Sequence, residues 1–337
     1  MRPRNIDAAF HVRGFEARDG PGVLDLLQAT FGAWPRDIHG IAASEFFRWK
    51  HMDGPFGPSR LLVAEADDAV IGFVAYMPWR LLARGQVLST VRGVDLVVHR
   101  SFRRRGVSMA MRAEAKPPSD VAFIWSTPNE QSHPGGLKAG RRDVLSLPRF
   151  VRPCGRLRDS GWRLFASESK TAEHLHVEAD TAAEILRDGE RTSRLLAQSP
   201  TPSGHLATCK DLDYLRWRYA QFEEYRAITV DVDASASGMV IFRTRRHGRF
   251  WVSHVCELFV PGDDPRTTSR LLRQVREASR ADFISCHFSS RSRAARYGFV
   301  QRRSRTVLTV FPLQQSSIAP PMERTSWVLS LGDLELL

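Results

Sequence analysis

Val94-Asp95-Leu96-Val97-Val98-His99-Arg100-Ser101-Phe102-Arg103-Arg104-Arg105-Gly106-Val107-Ser108-Met109 is the stretch on which the reading of the fold turns. An apolar strand ends, a short basic loop turns at a glycine, and a helix with small or apolar early residues begins. Such a helix start presents unpaired backbone N–H groups and the positive end of its dipole, which suits a pyrophosphate. Gly106 lets that group approach the backbone closely, and the arginines add charge. In a chain this basic the letters alone fit a solvated turn and helix cap better than an anion site. The order of the neighbouring elements is what points to an anion site.

Upstream, the pattern predicts a strand over 10–15, a helix from about 21 to 31 and a second helix over 44–51. Strands follow at 60–66, 70–79 and 87–98, joined by the turn signals Asp67-Asp68 and Arg84-Gly85, which implies an antiparallel meander. Downstream come a helix over 106–116, a stop at Pro117-Pro118 and a short apolar strand over 121–126.

A second set of segments repeats the first in a nearly constant register. Glu45-Phe46-Phe47-Arg48-Trp49-Lys50 resembles Asp213-Tyr214-Leu215-Arg216-Trp217-Arg218, Gly72-Phe73-Val74-Ala75 resembles Gly238-Met239-Val240-Ile241, and Leu137-Lys138-Ala139-Gly140 echoes Arg296-Tyr297-Gly298. The expected organisation is therefore a first domain over 1–155, a connecting segment over 156–205 that ends in the turn-rich Ser199-Pro200-Thr201-Pro202-Ser203-Gly204, a degenerate second copy over 206–315, and a tail over 316–337 in which Trp327-Val328-Leu329-Ser330 returns as a strand.

At this point the chain resembles the Gcn5-related N-acetyltransferase superfamily, whose acyl-CoA signature is Arg/Gln-x-x-Gly-x-Gly/Ala after the fourth strand. Arg103-x-x-Gly106-x-Ser108 fits, with serine in the last small position. Phe123-Ile124-Trp125-Ser126-Thr127-Pro128-Asn129 followed by Leu137-Lys138-Ala139-Gly140 looks like the family's second block, although Arg141 stands where Phe or Trp is common. The resemblance implies an α+β fold of two tandem acyl-CoA N-acyltransferase domains, with mixed, mostly antiparallel sheets flanked by helices. It implies acetyl-CoA or another acyl-CoA as donor, held by Leu96, Val97 and Val98 on a strand splayed from its neighbour, by Arg103, Arg104, Arg105, Gly106, Val107 and Ser108 at the pyrophosphate, and by Asn129. Asn129 reads as a helix cap after Pro128 as well.

For the chemistry, Asp95 is the candidate base, with an ion pair to a neighbour such as Arg92 as the plainer alternative. The family's acid tyrosine falls on Gly136, so His133 or Ser132 must replace it or the thiolate leaves toward water. His99, at the strand exit, reads as structural.

The second copy departs where phosphates would bind: Pro261-Gly262-Asp263-Asp264-Pro265 places acids there, so no coenzyme A is expected in that half, which would instead close over the acceptor, with the tail around Asp333. Its next helix carries Arg266, Arg270, Arg273, Arg276 and Arg280 on one face and Leu271, Leu272, Val275 and Ala278 on the other. That face is either solvated or a track for a phosphate backbone. The net charge of +12, with 49 basic against 37 acidic residues, favours anionic partners without choosing among them.

Four separated cysteines without metal-ligand spacing suggest reduced thiols and no metal, and the absence of a signal peptide or spanning segment suggests a cytoplasmic protein with no membrane partner. The leading expectation is transfer of an acetyl or short acyl group from acyl-CoA to the primary amine of a small-molecule acceptor or amino sugar. Two alternatives stand beside it: an aminoacyl transferase of the same fold that draws on transfer RNA, and a non-catalytic acyl-CoA-binding module.

Overall fold

The computed structural model describes residues 9–32, 34–35, 40–154, 176–199, 205–232, 235–288, 291–304, 306–313 and 320–334. Residues 156–175 of the expected 156–205 segment, and its turn-rich stretch after Ser199, lie outside the described residues.

The first sheet begins with β1 (His11–Gly14), β2 (Arg60–Ala66), β3 (Ala69–Ala83) and β4 (Gln86–Val98), each antiparallel to the one before it. β5 (Phe123–Ser126) then joins β4 in parallel. Alternate residues serve opposite faces, as strand geometry requires. Val63, Phe73, Ala75 and Val97 pack under α1 (Gly20–Phe31) and α2 (Ala43–His51). Leu62, Ala64, Val74 and Tyr76 pack with Val107 and Met111 of α3 (Val107–Glu114) on the other face. Gly72 is what lets α3 lie close: a Cβ there would sit 3.1 Å from Val107, Met111 and Ala64 at once. Gly238, its counterpart in the repeat, holds the same place under the helix Pro265–Ser279, where a Cβ would fall 2.7 Å from Thr267 and 2.9 Å from Leu271.

The second sheet repeats the plan with β9 (Tyr225–Val232), β10 (Ser235–His247), β11 (Phe250–Phe259) and β12 (Phe283–Cys286), of which β11 and β12 are again the parallel pair. The sheets do not part at the expected boundary near residue 155. β6 (Arg142–Ser146) stays in the first sheet, but β7 (Arg149–Pro153) enters the second, between β12 and β13 (Val300–Arg302). In return β14 (Val307–Pro312) enters the first, between β5 and β6. The two-residue strand β8 (Ala207–Thr208) also joins the first sheet, antiparallel to β3, so the first half gives one strand to the other's sheet and receives two.

The repeat also forms the joint between halves. Trp49, at the end of α2, stacks on Trp217 with ring centroids 5.0 Å apart and planes at 17°. Each indole N–H donates to the other's backbone carbonyl, Trp49 Nε1 to Trp217 O at 2.7 Å and Trp217 Nε1 to Trp49 O at 3.0 Å. Reciprocal contact between equivalent residues is the geometry of a local two-fold axis. The tail does not return as a strand: Trp327 makes a single bridge to Leu206, and a short helix, Leu331–Leu334, follows.

Candidate functional site

β4 and β5 are paired only at Val91 with Ile124 and Arg92 with Trp125. From Gly93 onward they diverge, while Val97 and Val98 stay paired to Phe73 and Gly72 of β3. The resulting fork opens a cleft of about 270 Å³ walled by Gly93–Leu96 of β4, by Ser126 at the end of β5 and Thr127–Asn129 after it, and by His133 and Gly136 of α4 (His133–Lys138). Leu96 and Val98 are half-buried at the fork; Val97 points into the core.

Beyond the end of β4 the basic loop turns through Arg104 (φ 64°) and Gly106 (φ 83°) into α3. The Gly106 carbonyl accepts from Met109 and Ala110 N, each at 3.0 Å, so the N–H groups of Val107 and Ser108 lie ahead of the first intrahelical bonds. The space over Gly106 is open, with nothing within 4 Å of where a Cβ would stand. Arg103 is anchored by Nε to the Val98 carbonyl at 3.2 Å, Arg105 lies over the Phe102 ring at 5.2 Å, and Arg104 is exposed. Open backbone at a helix start, flanked by three guanidinium groups, suits an anionic group such as a phosphate.

Asp95 sits at the bulge of β4, with φ 52°. Its carboxylate is not paired to Arg92. Lys50 Nζ donates to it at 2.7–3.0 Å, and His51 Nε2 lies 3.1 Å from it. Burial raises the Asp95 carboxyl, but Lys50 and His51 outweigh that and hold it well below the usual carboxylate range. A carboxylate so engaged is a poor proton acceptor. Arg92 instead donates to the Asp333 backbone carbonyl and lies 4.6 Å over the Trp125 ring.

His133 opens α4 on the cleft wall, a quarter exposed, with Nε2 2.7 Å from Asp143 Oδ1. Asn129 caps the turn before it, its side-chain oxygen accepting from Gln131 N at 3.1 Å and Ser132 N at 2.9 Å, while its residue still lines the cleft. Ser132 lines the cleft beside it. His99 accepts from Ser101 N at 3.4 Å, in the structural turn expected of it.

Three cleft groups had no sequence signal as site residues. Tyr76 is buried, and burial raises its phenol. Arg112 of α3 and Arg141, which follows α4, both line the cleft. Burial, with Arg112 adding to it, pulls the Arg141 guanidinium down to about 10.

The second half carries a filled version of this site. Glu257 of β11 stands where Asp95 stands in β4, and Tyr219 where His51 stands after the tryptophan; Tyr219 Oη donates to Glu257 at 2.7 Å. Lys210 Nζ donates to Glu257 at 2.7 Å, to Ser330 at 2.9 Å and to Asp333 at 3.0 Å, which locks the tail into the place. At the helix start, the Asp264 carboxylate accepts from Thr267 N at 2.7 Å and Arg266 N at 3.4 Å, and Asp263 pairs with Arg293. The N–H groups that could meet a phosphate are thereby held by the chain's own acid. Arg266, Arg270, Arg273, Arg276 and Arg280 are all exposed, with Leu271, Leu272, Val275 and Ala278 buried beneath, but Arg280 is paired to Glu178 at 2.6 Å and Arg276 to Glu277 at 3.6 Å.

No protein-family model and no curated protein matches the chain. Solved structures do. A GCN5-related N-acetyltransferase from Anabaena variabilis ATCC 29413 is similar at 12% identity and TM-score 0.64, over 91% of this chain and 73% of that one. A conserved protein of unknown function from Enterococcus faecalis V583, described as a probable N-acyltransferase, is similar at 12% identity and TM-score 0.59, over 90% and 73%. A GCN5-related N-acetyltransferase from Kribbella flavida is similar at 18% identity and TM-score 0.58, over 91% and 72%. The chain has the two-domain fold of the GCN5-related N-acetyltransferases. Among the described residues no helix is long and apolar enough to cross a membrane.

Proposed function

We propose that the protein is an N-acyltransferase that takes an acetyl or short acyl group from acyl-CoA, in the cytoplasm, and passes it to the primary amine of a small molecule or amino sugar. The observation that carries this reading is the fork after Arg92 and Trp125, which opens beside a glycine-capped helix start flanked by arginines. The donor would supply an activated thioester. Val107 and Ser108 N–H, with Arg103, Arg104 and Arg105, would hold its phosphates, and the unpaired edge of β4 at the fork would hold its pantetheine arm.

His133 would accept the proton that the amine loses on attack, with Asp143 fixing the ring. Tyr76, protonated at neutral pH and buried in the cleft wall, is the group placed to give a proton to the departing thiolate. Asp95 would shape the fork through Lys50 and His51. The paired carboxylates Glu178 and Glu277 on the basic helix face favour the solvated reading of that face over a transfer-RNA track.

Calorimetry with acetyl-CoA tests the donor site. The native protein should bind, and Gly106→Glu, which puts a charged side chain into the open space over the helix start, should not; Arg105→Glu should weaken binding as well. Binding that survives both substitutions would end the proposal for this loop. Thiol release across a panel of amines then separates a transferase from a non-catalytic binding module.

A further inference from the structure

Two cleft arginines are not used by that reaction. Arg141 runs across the fork. Its Nη2 stands 3.0 Å from where a Cβ on Gly93 of β4 would be, and its Nη1 donates to Ser126 Oγ of β5 at 2.9 Å. Arg112 meets it over Gly136: a Cβ there would lie 3.2 Å from Arg141 Cδ and 3.7 Å from Arg112 Nη1. Glycine at both positions leaves room for the two guanidinium groups to converge where the strands separate.

Neither has a counter-charge among the described residues. Arg141 is only 9% exposed, and its hydrogen bond is to a neutral hydroxyl. Arg112 Nε is buried with no hydrogen-bond partner. The one carboxylate lining the cleft among the described residues, Asp95, is taken by Lys50 and His51. Two like charges facing each other in a recess cost stability unless an anion joins them. A guanidinium pair offers forked N–H donors that match the two oxygens of a carboxylate.

We infer that Arg112 and Arg141 form a carboxylate-binding site at the inner end of the cleft, and that a substrate of the transfer carries that carboxylate, either on the far end of the acyl group or on the amine acceptor. This rests on the acyltransferase reading for its context, but the anion site can be tested apart from it.

Succinyl-CoA and butyryl-CoA have acyl chains of equal length that differ by the terminal carboxylate. If the acyl group carries the anion, calorimetry gives a preference for succinyl-CoA of about tenfold to hundredfold, the scale of a charge-assisted hydrogen-bond pair. Arg112→Gln and Arg141→Gln abolish that preference and leave butyryl-CoA binding unchanged. If the acceptor carries it, the two esters bind alike, whereas free succinate raises the melting temperature of the coenzyme A complex in the native protein and not in either variant. Equal ester binding without succinate stabilisation overturns the inference, as does a loss of both esters in parallel.

Should neither ester bind, the acyltransferase reading falls. Succinate added to the unliganded protein then decides the anion site alone: stabilisation lost in the variants keeps it, and no stabilisation ends it. Arg141→Met supplies a second readout. A residue kept for binding is replaced with no loss of melting temperature, or with a rise, and a marked fall would mean that the arginine is structural.

Discussion

Asp95→Asn tests whether the fork is held by a buried ion pair. The substitution keeps the shape of the side chain and removes the charge that faces Lys50, whose side chain is 1% exposed. Trp34 and Phe46 each lie 5.8 Å from the ammonium and offset only part of its burial. Breaking a buried pair from one side costs about 3–5 kcal/mol. Unfolding entropy near 2.1 cal/mol/K per residue gives about 0.7 kcal/mol/K for a chain of this length, so the melting temperature should fall by about 4–7 °C at neutral pH.

The pH dependence has a definite sign. The folded Asp95 carboxyl lies below its unfolded value, so its contribution is complete above about pH 4 and is lost as the pH falls toward the folded value. The gap between native protein and variant should therefore close in acid. His51, lowered by burial, adds a loss of native stability that begins as the pH drops below about 6.5. Thermal melts followed by circular dichroism at several pH values measure both. A variant that melts within about 1 °C of the native protein at neutral pH, or a gap that persists unchanged in acid, would refute the ion-pair account. Lys50→Met combined with Asp95→Leu should recover much of the loss, because the charges are removed together.

Gly332→Ala should destabilise the tail by about 1–3 kcal/mol, since the added carbon would stand 2.0 Å from Tyr219 Oη and 2.5 Å from Glu257 Oε1; urea melts measure it, and a native-like midpoint would show that the tail is seated otherwise. Trp49→Ala should cost about 3–5 kcal/mol. Combined with Trp217→Ala it should cost less than the sum of the single changes, because each substitution already breaks the same reciprocal pair; strictly additive losses in the same melts would contradict the shared joint.

The legible parts of the fold were those written in periodicity and punctuation. The meander, the helix after Gly106 and the duplicated Trp49 and Trp217 segments follow from alternation, turn residues and repetition along the chain. The strand exchange was not legible. β7 and β14 are short strands that fill equivalent slots in two copies of one sheet, and side-chain patterning specifies a slot without saying which copy supplies its strand. Leu147-Pro148, the short connection that sends the chain from β6 into the other sheet, looks like an ordinary turn. In the site, the glycine loop declared itself through local sequence, as did Asn129 as a cap. Lys50 and His51 did not, because their partner Asp95 is distant in sequence and is met only when α2 folds over β4. Arg112 and Arg141 were hidden for a related reason: among 49 basic residues, nothing local marks the two that fold inward without an acid.

The local two-fold axis at Trp49 and Trp217 bears on why the halves differ. Duplication gives each sheet a fork after its parallel pair, an acid on the strand facing it, and a helix start beside it. In the second half every one of these features is satisfied internally: Glu257 by Lys210 and Tyr219, the helix start by Asp264, the space by Gly332 and Asp333. In the first half the acid is satisfied by Lys50 and His51, yet the helix start is open and two guanidinium groups lack an acid among the described residues. A filled fork adds stability, and an open one gives stability up for binding. Since the tail that fills the second fork also accepts from Arg92 at the base of the first and lends Leu334 to its wall, the closed copy supports the open one mechanically. Loosening the tail by Gly332→Ala should then weaken acetyl-CoA binding in calorimetry, although no residue of the donor loop is changed; unaltered binding would show that the two forks are mechanically independent.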